Sequence, residues 1–242
     1  MKLKAIRDSY GSIPDLDALY TDRKHPNGLP YHIYVPDSLE AGAKYPVVIF
    51  LHGYTDIPLG MHNGFPKGVW SLPRVQSKHP HIVFIPRHRT IHDKWDDDKY
   101  RAMTVEALDD LIEEFNKNPK SPNMDTTRIY LTGFSRGGVG TWNFIKHYPN
   151  KFAAACPLAG FFEGPQDLSA AQAIRHVPIW IFNADGDGGV AGSRMSYRML
   201  TEAQAPNVRY HEYKGHNHVI DDFAYFTEGF MDWLFAQKRT PH

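Results

Sequence analysis

The sequence is poor in the features that mark membrane-spanning, disulfide-linked and nucleic-acid-binding proteins. Cys156 is the one cysteine of its 242 residues, so no internal disulfide can form, and its apolar surroundings predict a small buried side chain. No apolar run approaches the roughly 20 residues of a membrane span. The 27 Lys and Arg residues balance the 27 Asp and Glu residues. A zero net charge disfavours nucleic acid or an anionic membrane surface as a partner.

The amino-terminal segment MKLKAIRDSYGSIPDLD also lacks the apolar stretch of a secretory signal. We therefore expect a cytoplasmic protein. The length fits one domain over residues 1–242, with residues 1–30 forming an amino-terminal extension or edge strands.

Apolar runs typical of buried strands alternate along the chain with segments of helical periodicity. We predict strands at residues 31–35, 46–51, 82–85, 129–132, 152–156, 179–182 and 208–213, and helices at 103–115, 136–148 and 192–204, with a last helix capped by Asp221 and Asp222. Buried strands separated by helices predict the α/β class, with a mainly parallel central sheet covered by helices on both faces. Functional groups are then expected at the carboxyl ends of the strands.

The segment RIYLTGFSRGGVGTW contains the pattern G-x-S-x-G at Gly133, Ser135 and Gly137. A predicted strand precedes it and a predicted helix follows it. Such a sharp turn lifts the serine hydroxyl out of the sheet, and a Cβ at either glycine would collide with neighbouring backbone. The positive end of the following helix points at the serine. Ser135 is therefore a candidate nucleophile.

Two further strand ends carry the groups that a serine nucleophile requires. The loop after residues 179–182 contains Asp185 and Asp187, and the loop after residues 208–213 contains His216 and His218. A serine needs a neutral imidazole to take its proton, and the imidazole needs a carboxylate to orient it. From the residues alone, either aspartate could be the acid and either histidine the base.

The segment GFSRGGVGTWNFIKHYPNKFAAACPLAG resembles the nucleophile elbow, helix and next strand of the α/β-hydrolase superfamily. The G-T-W after the elbow, the helix ending in YP and the F-A-A-A strand are similar to the compact serine carboxylesterases, which include the feruloyl-esterase, polyhydroxybutyrate-depolymerase-like and "predicted peptidase" branch. The resemblance runs from about Tyr31 to the carboxyl terminus. It implies an α/β-hydrolase fold with a minimal cap and a carboxylesterase that needs no cofactor and no metal.

The resemblance also implies roles for individual residues. VVIFLHGYTD is similar to the family strand that ends in His-Gly, which implies an oxyanion hole formed by the backbone N–H groups of Tyr54 and Arg136. The family spacing of the acid before Val190 favours Asp187 over Asp185. The family pattern Gly-His-Asn favours His216 over His218.

Other patterns have plainer interpretations. Asn183, Asp185 and Asp187 match half of a calcium loop, but Arg194 stands where a bidentate Glu is required. His216 and His218 could be a zinc pair, although no third ligand lies nearby in sequence. Aromatic residues of the loops could line a substrate pocket or simply pack there, namely Trp70, Trp95, Phe161 and Phe162.

The segment between Phe161 and Pro178 has no room for a large lid. We therefore expect a small-molecule ester substrate, with short-chain or aryl groups, in an open cleft. The alternatives are peptidase or acyltransferase activity by the same triad and, from another class, a non-catalytic ligand-binding relative. We expect a monomer or a small homo-oligomer.

Overall fold

A computed structural model describes residues 16–54, 68–90, 92–164, 168–221 and 223–239. An eight-stranded sheet forms its centre, in the order β1-β2-β4-β3-β5-β6-β7-β8. In chain order the strands are β1 (Thr21–Lys24), β2 (Pro30–Tyr34), β3 (Lys44–Leu51), β4 (Ile82–Pro86), β5 (Asn123–Phe134), β6 (Ala154–Leu158), β7 (Ile179–Ala184) and β8 (Val208–Tyr213). β1 and β2 pair antiparallel, as do β2 and β4, and the pairs from β4 across to β8 are parallel. The predicted α/β class with a mainly parallel sheet is confirmed.

Seven α-helices flank the sheet in the described part of the chain. They are α1 (Leu16–Leu19), α2 (Pro73–Lys78), α3 (Asp98–Lys117), α4 (Arg136–His147), α5 (Leu168–Ile174), α6 (Val190–Glu202) and α7 (Phe230–Ala236). Within the described ranges, no helix is both long enough and apolar enough to span a membrane. The longest helix, α3, is capped by Asp97, the residue before it, whose carboxylate accepts the Tyr100 N–H at 3.1 Å.

Two hydrophobic cores cover the two faces of the sheet. Successive side chains of β3 point to opposite faces, so that Val47 and Ile49 belong to one core and Val48 and Phe50 to the other. The first core includes residues of α3, α4, α5 and α6, and the second includes residues of α2 and α7. The prediction of helices on both faces is thus confirmed.

Two features differ from the predictions. No helix begins at Asp221. Instead a 3₁₀ turn covers Ala224–Phe226, and α7 begins after Gly229, whose φ of 73° is a left-handed value that favours glycine. The short helices α1 and α2 were also not predicted. The polar edge strand β1 has no apolar alternation, and it lies within the segment 1–30, where an extension or edge strands are expected. Asp222 lies outside the described residues.

Helix α7 is attached to the sheet through an aromatic cluster. The Phe230 ring is fully buried, with its centroid 5.3 Å from that of Phe182 and 5.8 Å from that of Trp180, both on β7. Aromatic pairs at such distances contribute to stability beyond the area they bury. Phe230 therefore anchors the carboxyl-terminal helix on the strand that leads into the Asp185–Asp187 loop.

We expect Phe230→Ala to lower the free energy of unfolding by about 3–5 kcal/mol, because it leaves a cavity between α7 and β7. Urea denaturation followed by fluorescence measures the change. Leu168→Ala is the control, since the Leu168 side chain on α5 is about half exposed. It should change stability by no more than about 0.5 kcal/mol. Equal losses in the two variants would contradict the anchoring role.

Candidate active site

Ser135 occupies a strained turn between β5 and α4. Its backbone angles are φ 58° and ψ −116°, a region that residues with a side chain rarely adopt. The Ser135 N–H donates to the Leu158 carbonyl at 2.9 Å, which ties the turn to the end of β6. Strain of this kind persists only where the surroundings enforce it, and it is common at functional sites. The turn is the elbow that the motif predicts.

The glycines beside Ser135 are required by close backbone contacts. A Cβ at Gly137 would lie 1.9 Å from the Leu51 carbonyl oxygen, and one at Gly133 would lie 2.4 Å from the Gly137 carbonyl oxygen. Both distances are far below van der Waals contact. The steric reason given for the motif is therefore confirmed, and the start of α4 is pressed against the end of β3.

The structure brings Ser135, His218 and Asp187 together. The His218 Nε2 atom lies 2.8 Å from the Ser135 Oγ, and the His218 Nδ1 atom lies 3.1 Å from Asp187 Oδ1. The imidazole thus bridges the hydroxyl and the carboxylate. The Phe134 ring flanks it with a centroid distance of 5.1 Å.

The prediction that His216 contacts Ser135 is wrong. The His216 ring packs near Phe223, with centroids 4.9 Å apart, and its carbonyl accepts the Gly186 N–H at 3.0 Å. The neighbouring loop thus holds the His216 main chain, and the His216 ring packs against an aromatic residue. The imidazole that reaches the Ser135 hydroxyl is that of His218.

The two aspartates of the β7 loop also have different partners. Asp187 is buried, and its Oδ1 accepts the Gly189 N–H at 3.0 Å in addition to contacting His218. Asp185 is exposed, and its Oδ1 accepts the Gly215 N–H at 2.8 Å. The carboxylate in contact with the imidazole is therefore that of Asp187, the residue that the family spacing favours.

Tyr54 and Arg136 lie together beside the elbow. Arg136 is the first residue of α4, and its guanidinium carbon lies 4.5 Å from the centroid of the Tyr54 ring. An Arg136 guanidinium N–H also donates to the Asp93 carbonyl at 3.3 Å. The backbone of Arg136 stands at the amino terminus of a helix, where N–H groups have no partner within the helix. The oxyanion role of the Tyr54 and Arg136 N–H groups stays a prediction.

A model of the phospholipase/carboxylesterase family matches residues 39–224. The chain belongs to this family. A thermostable esterase of known crystal structure has 31% sequence identity to this chain and a TM-score of 0.75. The alignment covers 91% of this chain and 63% of that one. The α/β-hydrolase fold implied by the sequence resemblance is confirmed.

Two further relatives carry more specific names. The bifunctional acetylxylan esterase/xylanase of Neocallimastix patriciarum is 28% identical over 167 residues, which are 68% of this chain but only 22% of that protein. The feruloyl esterase module from Clostridium thermocellum, complexed with sinapinate, has a TM-score of 0.70 over 97% of this chain and 94% of that one. At 15% identity, the module supports the fold alone.

Two buried histidines, His52 and His88, follow the ends of β3 and β4. The His52 Nδ1 atom lies 2.8 Å from the Gly53 carbonyl, and its Nε2 accepts the His88 N–H at 3.1 Å, an arrangement that fits a neutral imidazole with its proton on Nδ1. The Trp95 indole N–H donates to the His52 carbonyl at 3.0 Å. Burial lowers the pKa of His88 to about 2, with smaller contributions from His52 and Arg136.

The aromatic residues considered as pocket lining are mostly packed into the cores. Trp70, Trp95 and Phe162 are almost wholly buried, and Trp70 packs edge-on to Tyr225 with centroids 4.8 Å apart. Phe161 is only partly buried. For the first three residues the interpretation as loop and core packing is therefore correct.

We expect His88→Phe to make the fold less sensitive to acid. The unfolded chain binds a proton at a histidine pKa of about 6.5, whereas the folded protein keeps His88 neutral. The stability due to neutral His88 is therefore complete above pH 6.5 and is lost, by about 1.4 kcal/mol per pH unit, as the pH falls from there toward 2.

Urea titrations at several pH values between 7.5 and 4.5 measure the slope of unfolding free energy against pH. In His88→Phe this slope should be smaller than in the wild type by about 1.4 kcal/mol per pH unit, the contribution of one proton. His92→Phe, at an exposed position of the same loop, is the control and should keep the wild-type slope. Parallel profiles for His88→Phe and the wild type would refute this account of His88.

Proposed function

We propose that the protein is a serine hydrolase that cleaves carboxylic esters through an acyl-enzyme on Ser135. The observation that carries the proposal is the His218 imidazole, which bridges the Ser135 hydroxyl at 2.8 Å and the Asp187 carboxylate at 3.1 Å. A nucleophile, a base and an orienting acid within these distances form the arrangement that acyl transfer needs. Membership of an esterase family supports the same reaction.

In the proposed mechanism Ser135 Oγ attacks the ester carbonyl carbon while its proton passes to His218 Nε2. The negative oxygen of the tetrahedral intermediate is bound by the Tyr54 and Arg136 N–H groups, each of which would contribute about 3–4 kcal/mol. His218 returns the proton to the leaving alcohol, and Asp187 stabilises the transient imidazolium through its contact at 3.1 Å. Water then repeats the sequence and releases the acid.

The proposed substrate is a small ester with a short acyl or an aryl group. In the described part of the chain, the connection from β6 to β7 contains only the short helix α5, which supports the expectation of a minimal cap. The relative named for acetylxylan esterase activity favours a small acyl group on a carbohydrate. Peptidase and acyltransferase activities use the same three residues and are the alternatives.

Ser135→Ala should abolish turnover of a p-nitrophenyl ester series from acetate to hexanoate, tested beside an aryl cinnamate ester. It should also abolish labelling by a fluorophosphonate, which the wild-type protein should take up at Ser135. Circular dichroism checks that the variant folds. Labelling of another serine, or undiminished turnover in the variant, would refute the proposal. Hydrolysis of peptides in preference to all esters would favour the peptidase alternative.

We expect His218→Ala and His216→Ala to have very different effects. The first should reduce kcat by about six orders of magnitude, because the imidazole that takes the serine proton is lost. Asp187→Asn should cost about four orders of magnitude, because the imidazole would then be held in the wrong tautomer. His216→Ala should cost far less, because its ring contacts Phe223 rather than Ser135. The reverse order of the two histidine variants would return the role of base to His216.

A further inference from the structure

The loops that carry the acid and the base are joined directly by hydrogen bonds outside the triad. Asp185 Oδ1 accepts the Gly215 N–H at 2.8 Å, and the Gly186 N–H donates to the His216 carbonyl at 3.0 Å. The Asp185 N–H continues the β7–β8 pairing by donating to the Tyr213 carbonyl at 3.1 Å. These contacts join Asp185 and Gly186 to residues 213–216, just before Asp187 in one loop and two residues before His218 in the other.

The contact between the loops is so close that it requires a glycine. A Cβ at Gly186 would lie 2.7 Å from both the His216 carbonyl oxygen and the Asn217 side-chain oxygen. At Gly188, two residues later in the same loop, a Cβ would meet nothing within 4 Å. Among these two glycines, therefore, only Gly186 is constrained by the neighbouring loop.

We propose that Asp185 and Gly186 are positioning residues that hold the His218 imidazole against Ser135. We call the two hydrogen bonds, from Gly215 to Asp185 and from Gly186 to His216, the loop clamp. The proposal rests on the proposed function, because it assigns the clamp a role in the same reaction.

The need for a clamp follows from how His218 is held. Its side chain is 46% exposed, and it lies on a loop rather than on a strand or helix. Ser135, in contrast, is fixed by the packed turn between β5 and α4. A loop histidine with so much exposure would sample several positions unless its backbone were restrained. The clamp supplies that restraint only a few residues from the imidazole.

The chemistry of Asp185 suits this purpose. A carboxylate accepts a backbone N–H in a short, charge-assisted hydrogen bond that is stronger than a neutral one. Its donor, Gly215, has a left-handed φ of 71°, a conformation that costs a glycine little and that the bond would select. Asp185 thus acts on the base through the backbone, whereas Asp187 contacts the imidazole itself.

The first test compares Asp185→Ala with Asp185→Asn. A displacement of about 1 Å can cost about 100-fold in rate, so Asp185→Ala should lower kcat by about 10- to 100-fold while KM changes little. Asn keeps an acceptor oxygen and should restore most of the lost kcat. Hydrogen exchange should show faster exchange of the 214–218 segment in the Ala variant and near wild-type exchange in the Asn variant.

Asn118→Ala is the matched control for this comparison. The Asn118 side chain also accepts a backbone N–H, that of Lys120 at 3.0 Å. This hydrogen bond lies in a turn that precedes the amino end of β5, whereas Ser135 follows the carboxyl end of the same strand. The kcat of Asn118→Ala should equal that of the wild type. A loss of kcat in Asp185→Ala that Asn does not restore would overturn the positioning role, and so would unchanged exchange of the 214–218 segment.

The second test compares Gly186→Ala with Gly188→Ala. The first should separate the loops and lower kcat by about 10- to 100-fold, and the second should keep wild-type kcat because the added methyl group meets no neighbour. Equal kcat values in the two variants would overturn the proposal. Hydrogen exchange reports on the clamp without any substrate, so a protein with a working clamp but no esterase activity would refute the proposed function and leave the clamp intact.

Discussion

The contact on which the site depends is the approach of the first turn of α4 to the end of β3. With the Gly137 Cβ position only 1.9 Å from the Leu51 carbonyl oxygen, no larger residue fits without moving a helix away from the sheet. This contact keeps Ser135 in its strained conformation, because the turn has no room to relax. It also directs the amino terminus of α4 toward the point where charge develops in the proposed reaction. One backbone-to-backbone contact thus serves the packing, the strain and the electrostatics of the nucleophile.

Much of the fold could be predicted because its strands are buried on both faces. Val47 to Leu51 and Ile179 to Phe182 are continuous apolar runs, and the glycines of the elbow mark where one of the central strands turns into a helix. The short helices α1 and α2 could not be predicted, because they are too brief to show a helical period. The polar edge strand β1 could be given only as one alternative for residues 1–30, because it has no apolar alternation. The prediction of a helix at Asp221 was wrong, because a capping residue followed by apolar side chains also fits a 3₁₀ turn. The α-helix begins later, after Gly229.

The sequence predicted which loops carry the residues of the candidate site, but for the histidine it indicated the wrong residue of the loop. Ser135 and Asp187 lie where the motif spacing indicated, whereas the imidazole at the hydroxyl is that of His218 and not His216. A spacing of two residues in a loop carries no information on side-chain direction, unlike the fixed periods of strands and helices. The direction here depends on contacts between separate parts of the chain, such as Gly186 with the His216 carbonyl. A glycine beside the aspartates was the only sequence signal of that contact, and its meaning becomes visible only in three dimensions.

The nucleophile and the base are therefore supported by parts of the molecule that differ in kind. Ser135 lies in a turn packed against the central strands, while His218 lies on a surface loop that is restrained by hydrogen bonds to a second loop. Regions of a protein open at different free energies, and loops open well before central strands. Local unfolding would then displace His218 from the proposed active site before the central sheet unfolds. Such a chain would lose function under mild heating or low denaturant and regain it on return, without the exposure of apolar core that leads to aggregation.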